Sequence, residues 1–264
     1  MDKLKRTLLI NDLSCIGKSS LTVMLPIISS YGVETIPLPT LLLSNHTGFK
    51  EYEIKDCNDI LSSFSNAWVK QDINFDLIYT GFFKDYKQIN ETIDIVNKFD
   101  TTLLVDPILG DNGKRFSCFD DKYQESLLML VNKADIITPN LTEATLLTNS
   151  NINEDPYTII NKFKNEYVII TGIKKEDKIG YLVKENNDIY EYYLPYIDSD
   201  IKFHGTGDVF VSSLIGNLLS NNSFKDSFIN AANFTNKCIL ATLKYLPEHW
   251  YGLAFEDIIR CNNH

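Results

Sequence analysis

Short apolar segments alternate with helical patterns along most of the chain, and this alternation constrains its fold more than any other feature. Thr7–Asn11, Glu34–Leu38, Phe75–Tyr79, Thr102–Val105, Ile136–Thr138 and Tyr167–Thr171 read as strands. Ser19–Tyr31, Asp56–Lys70, Lys87–Lys98, Tyr123–Val131, Thr142–Leu147 and Pro156–Lys164 read as the helices between and after them. The strand segments are nearly continuous in apolar residues, the pattern of strands covered on both faces. A β-α-β series of such strands predicts an α/β fold with a mostly parallel central sheet. Lys178–Val183 and Ile189–Tyr193 flank Glu185-Asn186-Asn187-Asp188, a hairpin signal. Asp208–Leu219 and Phe224–Tyr245 read as closing helices. No repeat, low-complexity tract or linker interrupts the series, so residues 1–264 read as a single domain.

Charge narrows the function classes. There are 35 acidic residues against 25 basic, a net charge of -10, and no basic stripe. That argues against nucleic acid or an anionic membrane as partner. It leaves a phosphate ligand open, because helix N-termini bind phosphate locally. Five cysteines (Cys15, Cys57, Cys118, Cys238 and Cys261) are scattered with no C-x-x-C pair. This spacing disfavours a zinc site and suits free thiols in a reducing compartment. The N-terminus enters a strand pattern directly, and no stretch approaches the roughly 20 apolar residues of a membrane span. The expectation is a cytoplasmic protein.

Ligands of open α/β sheets sit beyond the carboxyl ends of the strands. Those ends carry Asp12, Thr80-Gly81-Phe82, Asp106-Pro107, Pro139-Asn140 and Thr171-Gly172. Any one of these is an ordinary turn; jointly they favour a polar cleft. Gly17-Lys18-Ser19 ends like a phosphate-binding P-loop, but the glycine required five residues before Gly17 is Asp12. A carboxylate there would face the phosphates, so the match reads as coincidental.

The stretch KFHGTGDVFVSSLIGNLL, residues 202–219, carries the most chemistry. Gly205, Thr206 and Gly207 lie at a helix entrance, where bare backbone N–H groups converge on an anion. Asp208 stands in the first turn, where the helix dipole stabilises its carboxylate. Simple capping explains one of these residues but not two glycines flanking Thr206. An anion hole beside a carboxylate suits phosphoryl transfer to a hydroxyl, with Asp208 taking the proton.

INDLSCIGKSSLTVMLPIISSYGVETIPLPTLLLSNHTGF, YTGFF, LLVDPILGDNGK, ADIITPNLTEATLLT and HGTGDVF, in this order, resemble the ribokinase-like superfamily, and within it the pyridoxal kinases. The resemblance covers nearly the whole chain. It implies a three-layer α/β/α sandwich, and an ATP- and Mg²⁺-dependent kinase acting on the 5′-hydroxyl of pyridoxal, pyridoxine or pyridoxamine. It further implies a monovalent cation such as K⁺, and a homodimer.

By the resemblance, Asp208 is the general base, and Gly205, Thr206 and Gly207 supply the anion hole. Asn140 and Glu143 match an Asn-x-x-Glu motif near Mg²⁺ and the triphosphate, although the same pair also reads as a capping box. Asp106 is similar to an aspartate near the nucleotide phosphates and the monovalent cation, and Glu143 and Asp106 are the expected metal residues. Thr171 falls where ATP is held. The turn-rich residues 110–114 correspond to a mobile flap. Asp12 and Thr47 meet the substrate ring, and Phe82 replaces a tyrosine that stacks on it. His46 gets little weight, and His204 helps position the glycine loop. The same fold also serves hydroxymethylpyrimidine kinases, which often carry cysteine where Asp208 stands. A catalytically silent B6-binding protein is the remaining alternative.

Overall fold

A computed structural model describes residues 3–199, 201 and 203–262. Lys202, in the glycine-rich stretch, and the side chain of Cys261 lie outside the described residues. The chain divides into two compact units, residues 1–57 with 197–264, and residues 58–196.

The first unit opens with strand β1 (Arg6–Ile16), helix α1 (Leu21–Ser30), strand β2 (Glu34–Asn45) and the short β3 (Ile54–Asp56). β1 and β2 pair in parallel from Arg6↔Glu34 to Ile16↔Asn45, and β3 adds antiparallel to β2. The register shifts between Asn11 and Leu13. Asp12 therefore sits at a bulge inside β1, not after its end as expected. The extra length has a physical reason: beyond Asn11 the apolar run ends, and pairing with Leu42–Asn45 and a bridge from Leu13 to Ser20 keep the chain extended.

The second unit runs through α2 (Asn58–Lys70), β4 (Leu77–Thr80), α3 (Tyr86–Val96), β5 (Thr102–Val105), the two-stranded β6 (Gly110–Asp111) and β7 (Lys114–Arg115), and α4 (Asp121–Val131). It continues with β8 (Ile136–Ile137), α5 (Leu141–Leu147), α6 (Pro156–Ile160), β9 (Tyr167–Lys175), β10 (Lys178–Glu185) and β11 (Asp188–Pro195). Within it the strand order is β11-β10-β9-β8-β5-β4. β4, β5, β8 and β9 are parallel, and the β10–β11 hairpin is antiparallel. The parallel strands are the apolar ones, with Ile78, Leu104, Ile137 and Ile170 fully buried. β9 continues four residues past Thr171, because β10 pairs with it out to Lys175.

The chain then returns to the first unit with α7 (Thr206–Leu219), α8 (Phe224–Thr242), a 3₁₀ turn (Leu243–Tyr245) and α9 (Phe255–Asn262). Val23 and Ile27 of α1, Val209 of α7, Phe234 and Cys238 of α8, and Leu253 and Phe255 form one buried cluster. Each such side chain contributes about 1.5–3 kcal/mol of burial. α7 is buried along Val209–Asn217, which fixes the direction of its N-terminus.

Candidate active site

The entrance to α7 holds the glycines that the sequence assigned to an anion hole. Gly205 caps the helix at φ 76°, with no side-chain capping bond. A side chain there is barred twice, by the left-handed backbone and by Lys18 O, which would lie 2.5 Å from a Cβ. Gly207 differs: nothing lies within 4 Å of where its Cβ would be. Packing within the protein does not demand glycine at 207; the absent side chain leaves the backbone N–H groups of the first turn open. Asp208 follows in that turn, half-buried. Ser212 Oγ donates to the main-chain O of Asp208 at 2.5 Å.

In the same unit, Asp12 is 7 % exposed. Its Oδ1 accepts from Ser20 Oγ at 2.5 Å and its Oδ2 from Ser14 Oγ at 3.0 Å. Burial pushes its carboxyl above the usual range, against the lowering effect of both hydroxyls. A carboxylate has about four lone-pair sites, so these two bonds leave capacity for a ligand. Thr47 lies exposed in the turn that joins His46 to Phe49, whose N–H bonds His46 O at 3.1 Å. His46 is buried. Its Nδ1 accepts from the Gly48 N–H at 2.9 Å, and its Nε2 lies 3.0 Å from Tyr251 O. A carbonyl only accepts, so these partners place the proton on Nε2. The His204 ring stacks on His46 at 5.0 Å and 29°.

Lys18 is committed elsewhere. Its Nζ bonds Glu256 Oε2 at 2.6 Å and lies 5.0 Å from the centre of the Phe255 ring. Lys18→Ala is therefore expected to leave the KM for ATP nearly unchanged in steady-state kinetics. A P-loop lysine pairs with the β- and γ-phosphates, and its loss cripples turnover, so a large effect on ATP would reverse the assignment.

The second unit carries the other predicted residues. Asp106 is buried, with Oδ1 accepting from Thr138 Oγ1 at 3.1 Å and Oδ2 from Tyr79 OH at 3.4 Å. Burial pushes its carboxyl up to about 7. Glu143, 3 % exposed, is pushed well up by burial and by the neighbouring Asp106 charge. Asn140 and Glu143 form the capping box of α5: Asn140 Oδ1 accepts from Glu143 N at 2.9 Å, and Glu143 Oε2 from Asn140 N at 2.8 Å. Glu143 Oε1 also accepts from Leu109 N at 3.1 Å. The capping reading is thus realised, and it holds the carboxylate beside Asp106. The Asp106 charge thus adds to burial in raising the proton affinity of Glu143.

Residues 110–115 form a hairpin with Asn112 and Gly113, both at positive φ, at its turn. The hairpin is tied to α5 by Asn140 Nδ2 to Gly110 O at 2.9 Å and by Gly113 N to Thr142 Oγ1 at 2.8 Å. Phe82 is half-buried, its ring 5.8 Å from that of Phe119. Thr171 lies within β9, and its N–H bonds Pro139 O at 2.9 Å. Sequence reasoning missed the C-terminal residues Trp250, Tyr251 and Gly252, which pack around His46 and Lys18. Their signal was the aromatic pair in a loop that no periodic pattern claimed.

A family model described as phosphomethylpyrimidine kinase matches residues 28–251. The chain belongs to this kinase family. It is similar to a Bacteroides thetaiotaomicron protein described as a putative phosphomethylpyrimidine kinase, at 31 % identity and a TM-score of 0.92. That match covers 100 % of this chain and 95 % of the other. A second crystal form of the Bacteroides protein was solved with pyridoxal. The pyridoxal kinase of Lactobacillus plantarum matches at 25 % identity and a TM-score of 0.90, covering 98 % of this chain and 96 % of the other. Human pyridoxal kinase is 25 % identical over 214 residues, 70 % of this chain and 68 % of that protein. Phosphomethylpyrimidine kinase-family membership and these superpositions bear out the fold class expected from the sequence, a ribokinase-like α/β fold with a mostly parallel central sheet.

Proposed function

We propose that this chain is an ATP-dependent pyridoxal kinase that phosphorylates the 5′-hydroxyl of pyridoxal, pyridoxine or pyridoxamine, its two units making up one kinase domain. The observation that carries the proposal is the α7 entrance, where Gly205 is forced by packing, Gly207 is left open, and Asp208 follows in the same turn. Backbone N–H groups of Gly205, Thr206 and Gly207 receive the charge of the transferred phosphoryl group. Asp208 accepts the hydroxyl proton as the oxygen attacks. Removing a single donor of this kind typically costs about 10²–10³-fold in rate.

Asp12 accepts from the polar edge of the substrate ring, Thr47 contacts the ring, and Phe82 stacks on it. Asp106, Asn140, Glu143 and Thr171 serve the nucleotide. Asp106 and Glu143 would hold Mg²⁺, Glu143 through water, since Mg²⁺ takes few carboxylates and keeps several of its waters. When bound, the metal neutralises triphosphate charge. A K⁺ ion would sit beside Asp106.

Similarity to the human and Lactobacillus pyridoxal kinases, and to a protein solved with pyridoxal, supports a B6 vitamer as substrate. The description of the matching family model favours a second reading, a hydroxymethylpyrimidine kinase. Asp208, where those enzymes often carry cysteine, weighs against it. The test is ADP formation by purified protein offered pyridoxal, pyridoxine, pyridoxamine or hydroxymethylpyrimidine in turn. Turnover with a B6 vitamer is expected. Turnover with the pyrimidine alone would establish the second reading, and none with any of them would leave a silent binding protein.

A homodimer is supported by the exposed apolar side chains Ile16, Leu42, Tyr52 and Ile54 around the edge strand β3. Light scattering of the purified protein tests it. Cytoplasmic placement is supported by free thiols at Cys15, Cys57, Cys118 and Cys238, and no described helix is long and apolar enough to cross a membrane.

A further inference from the structure

The Gly205 loop has no side-chain cap, so something else must hold its shape. The residue before it, His204, is stacked on His46. Trp250 closes this stack edge-on, 6.0 Å from His46 at 89° and 5.9 Å from His204 at 75°, and lies 4.8 Å from Phe49. Tyr251 O fixes His46 Nε2 at 3.0 Å. A Cβ on Gly252 would collide with Lys18 Cβ and lie 3.0 Å from Gly17 O. One short segment therefore touches three loops at once: 17–18, 46–49 and, through its ring, His204. Lys18 O in turn abuts Gly205.

The segment has its own anchor. Leu253, Ala254 and Phe255 are buried in the core, Ala254 N donates to Thr242 Oγ1 at 2.8 Å, and Glu256 binds Lys18. Trp250, by contrast, is half-buried and lies outside the buried cluster. A half-buried tryptophan that spans two stacked histidines is placed to set the geometry of the loop that His204 precedes. The family match ends at residue 251, before this anchor.

We propose that the C-terminal segment 246–256 is a positioning element for the phosphoryl-transfer loop, acting through Trp250 on the His46–His204 stack. The inference rests on the proposed role of the Gly205–Asp208 turn. Displacing reacting groups by about 1 Å costs on the order of 10²-fold in rate. Loss of the wedge should therefore appear in turnover before it appears in stability.

The test uses the full-length Trp250→Ala and Trp250→Phe variants. Hydrogen exchange is measured over the peptide from Phe203 to Ser212, which includes the Val209 N–H bonded to Gly205 O at 3.0 Å. Exchange there should quicken in Trp250→Ala and return toward wild type in Trp250→Phe, while β1 and β2 peptides stay unchanged. In parallel, kcat with pyridoxal should fall about tenfold or more in Trp250→Ala, with the KM for ATP nearly constant and recovery in Trp250→Phe. Unaltered exchange in the 203–212 peptide would overturn the inference, as would quickened exchange spread evenly over β1 and β2. If wild type shows no pyridoxal turnover but the loop still responds to Trp250, the substrate assignment fails and the positioning role stands.

Discussion

Asp208→Asn is expected to lower kcat for pyridoxal phosphorylation by about 10²-fold or more, with little change in the KM for ATP. The substitution keeps the shape of the side chain and removes its ability to take a proton. The backbone should not respond, because α7 is buried along Val209–Asn217. The loss should fall on kcat and kcat/KM alike, as when an interaction made only in the transition state is removed. Steady-state kinetics at saturating ATP, with pyridoxal varied, measures it. Turnover near wild type would remove Asp208 from the role of base and, with it, the chemistry assigned to the α7 entrance.

That entrance was legible in the sequence because glycine is a loud signal: capping alone does not ask for two glycines around Thr206. The structure separates their reasons. Gly205 answers to Lys18 O and a left-handed backbone, and Gly207 answers to nothing in the protein. The parallel strands were legible for a similar reason, since continuous apolar runs have few other uses. β3 was not, because all three of its residues are exposed and give no burial pattern. α9 was missed because it lies at the end of the chain, where the sequence offers no following strand to mark it as part of the β-α-β series. The aromatic cluster around His46 could not be found locally at all. His46, His204 and Trp250 are far apart in sequence, and only the return of the chain to the first unit after residue 196 brings them together. At Lys18 a short match was set aside in the sequence because Asp12 stands where a P-loop needs glycine. A three-residue match suggests phosphate, and a partner 238 positions away shows the side chain to be engaged with Glu256.

Asp12 is where stability and activity are expected to part. Its carboxylate is buried at the β1 bulge, and a bulge re-aims the side chain it carries. Burial raises its proton affinity in the folded state. The folded protein then holds a proton that the unfolded chain releases from about pH 3.9 upward. Stability is lost as pH rises through the folded pKa, so ionised Asp12 is a net cost at neutral pH. Asp12→Asn should therefore not lower Tm at pH 7, and its advantage over wild type should vanish below about pH 4. Activity should go the other way. A charge-assisted bond to a protonated ring nitrogen or a ring hydroxyl contributes roughly 1.5–3 kcal/mol. Asp12→Ala should accordingly lower kcat/KM for pyridoxal by roughly 10- to 100-fold, each 1.4 kcal/mol being about tenfold. The KM for ATP should barely move, since the nucleotide is assigned to Asp106, Asn140, Glu143 and Thr171. Kinetics with each substrate varied in turn, beside thermal melts of Asp12→Asn at neutral and acid pH, separates the outcomes. A fall in Tm for Asp12→Asn at pH 7 would make Asp12 a structural residue held by Ser14 and Ser20 alone. A loss falling mainly on ATP would place Asp12 at the phosphates and reverse the orientation proposed for the whole site.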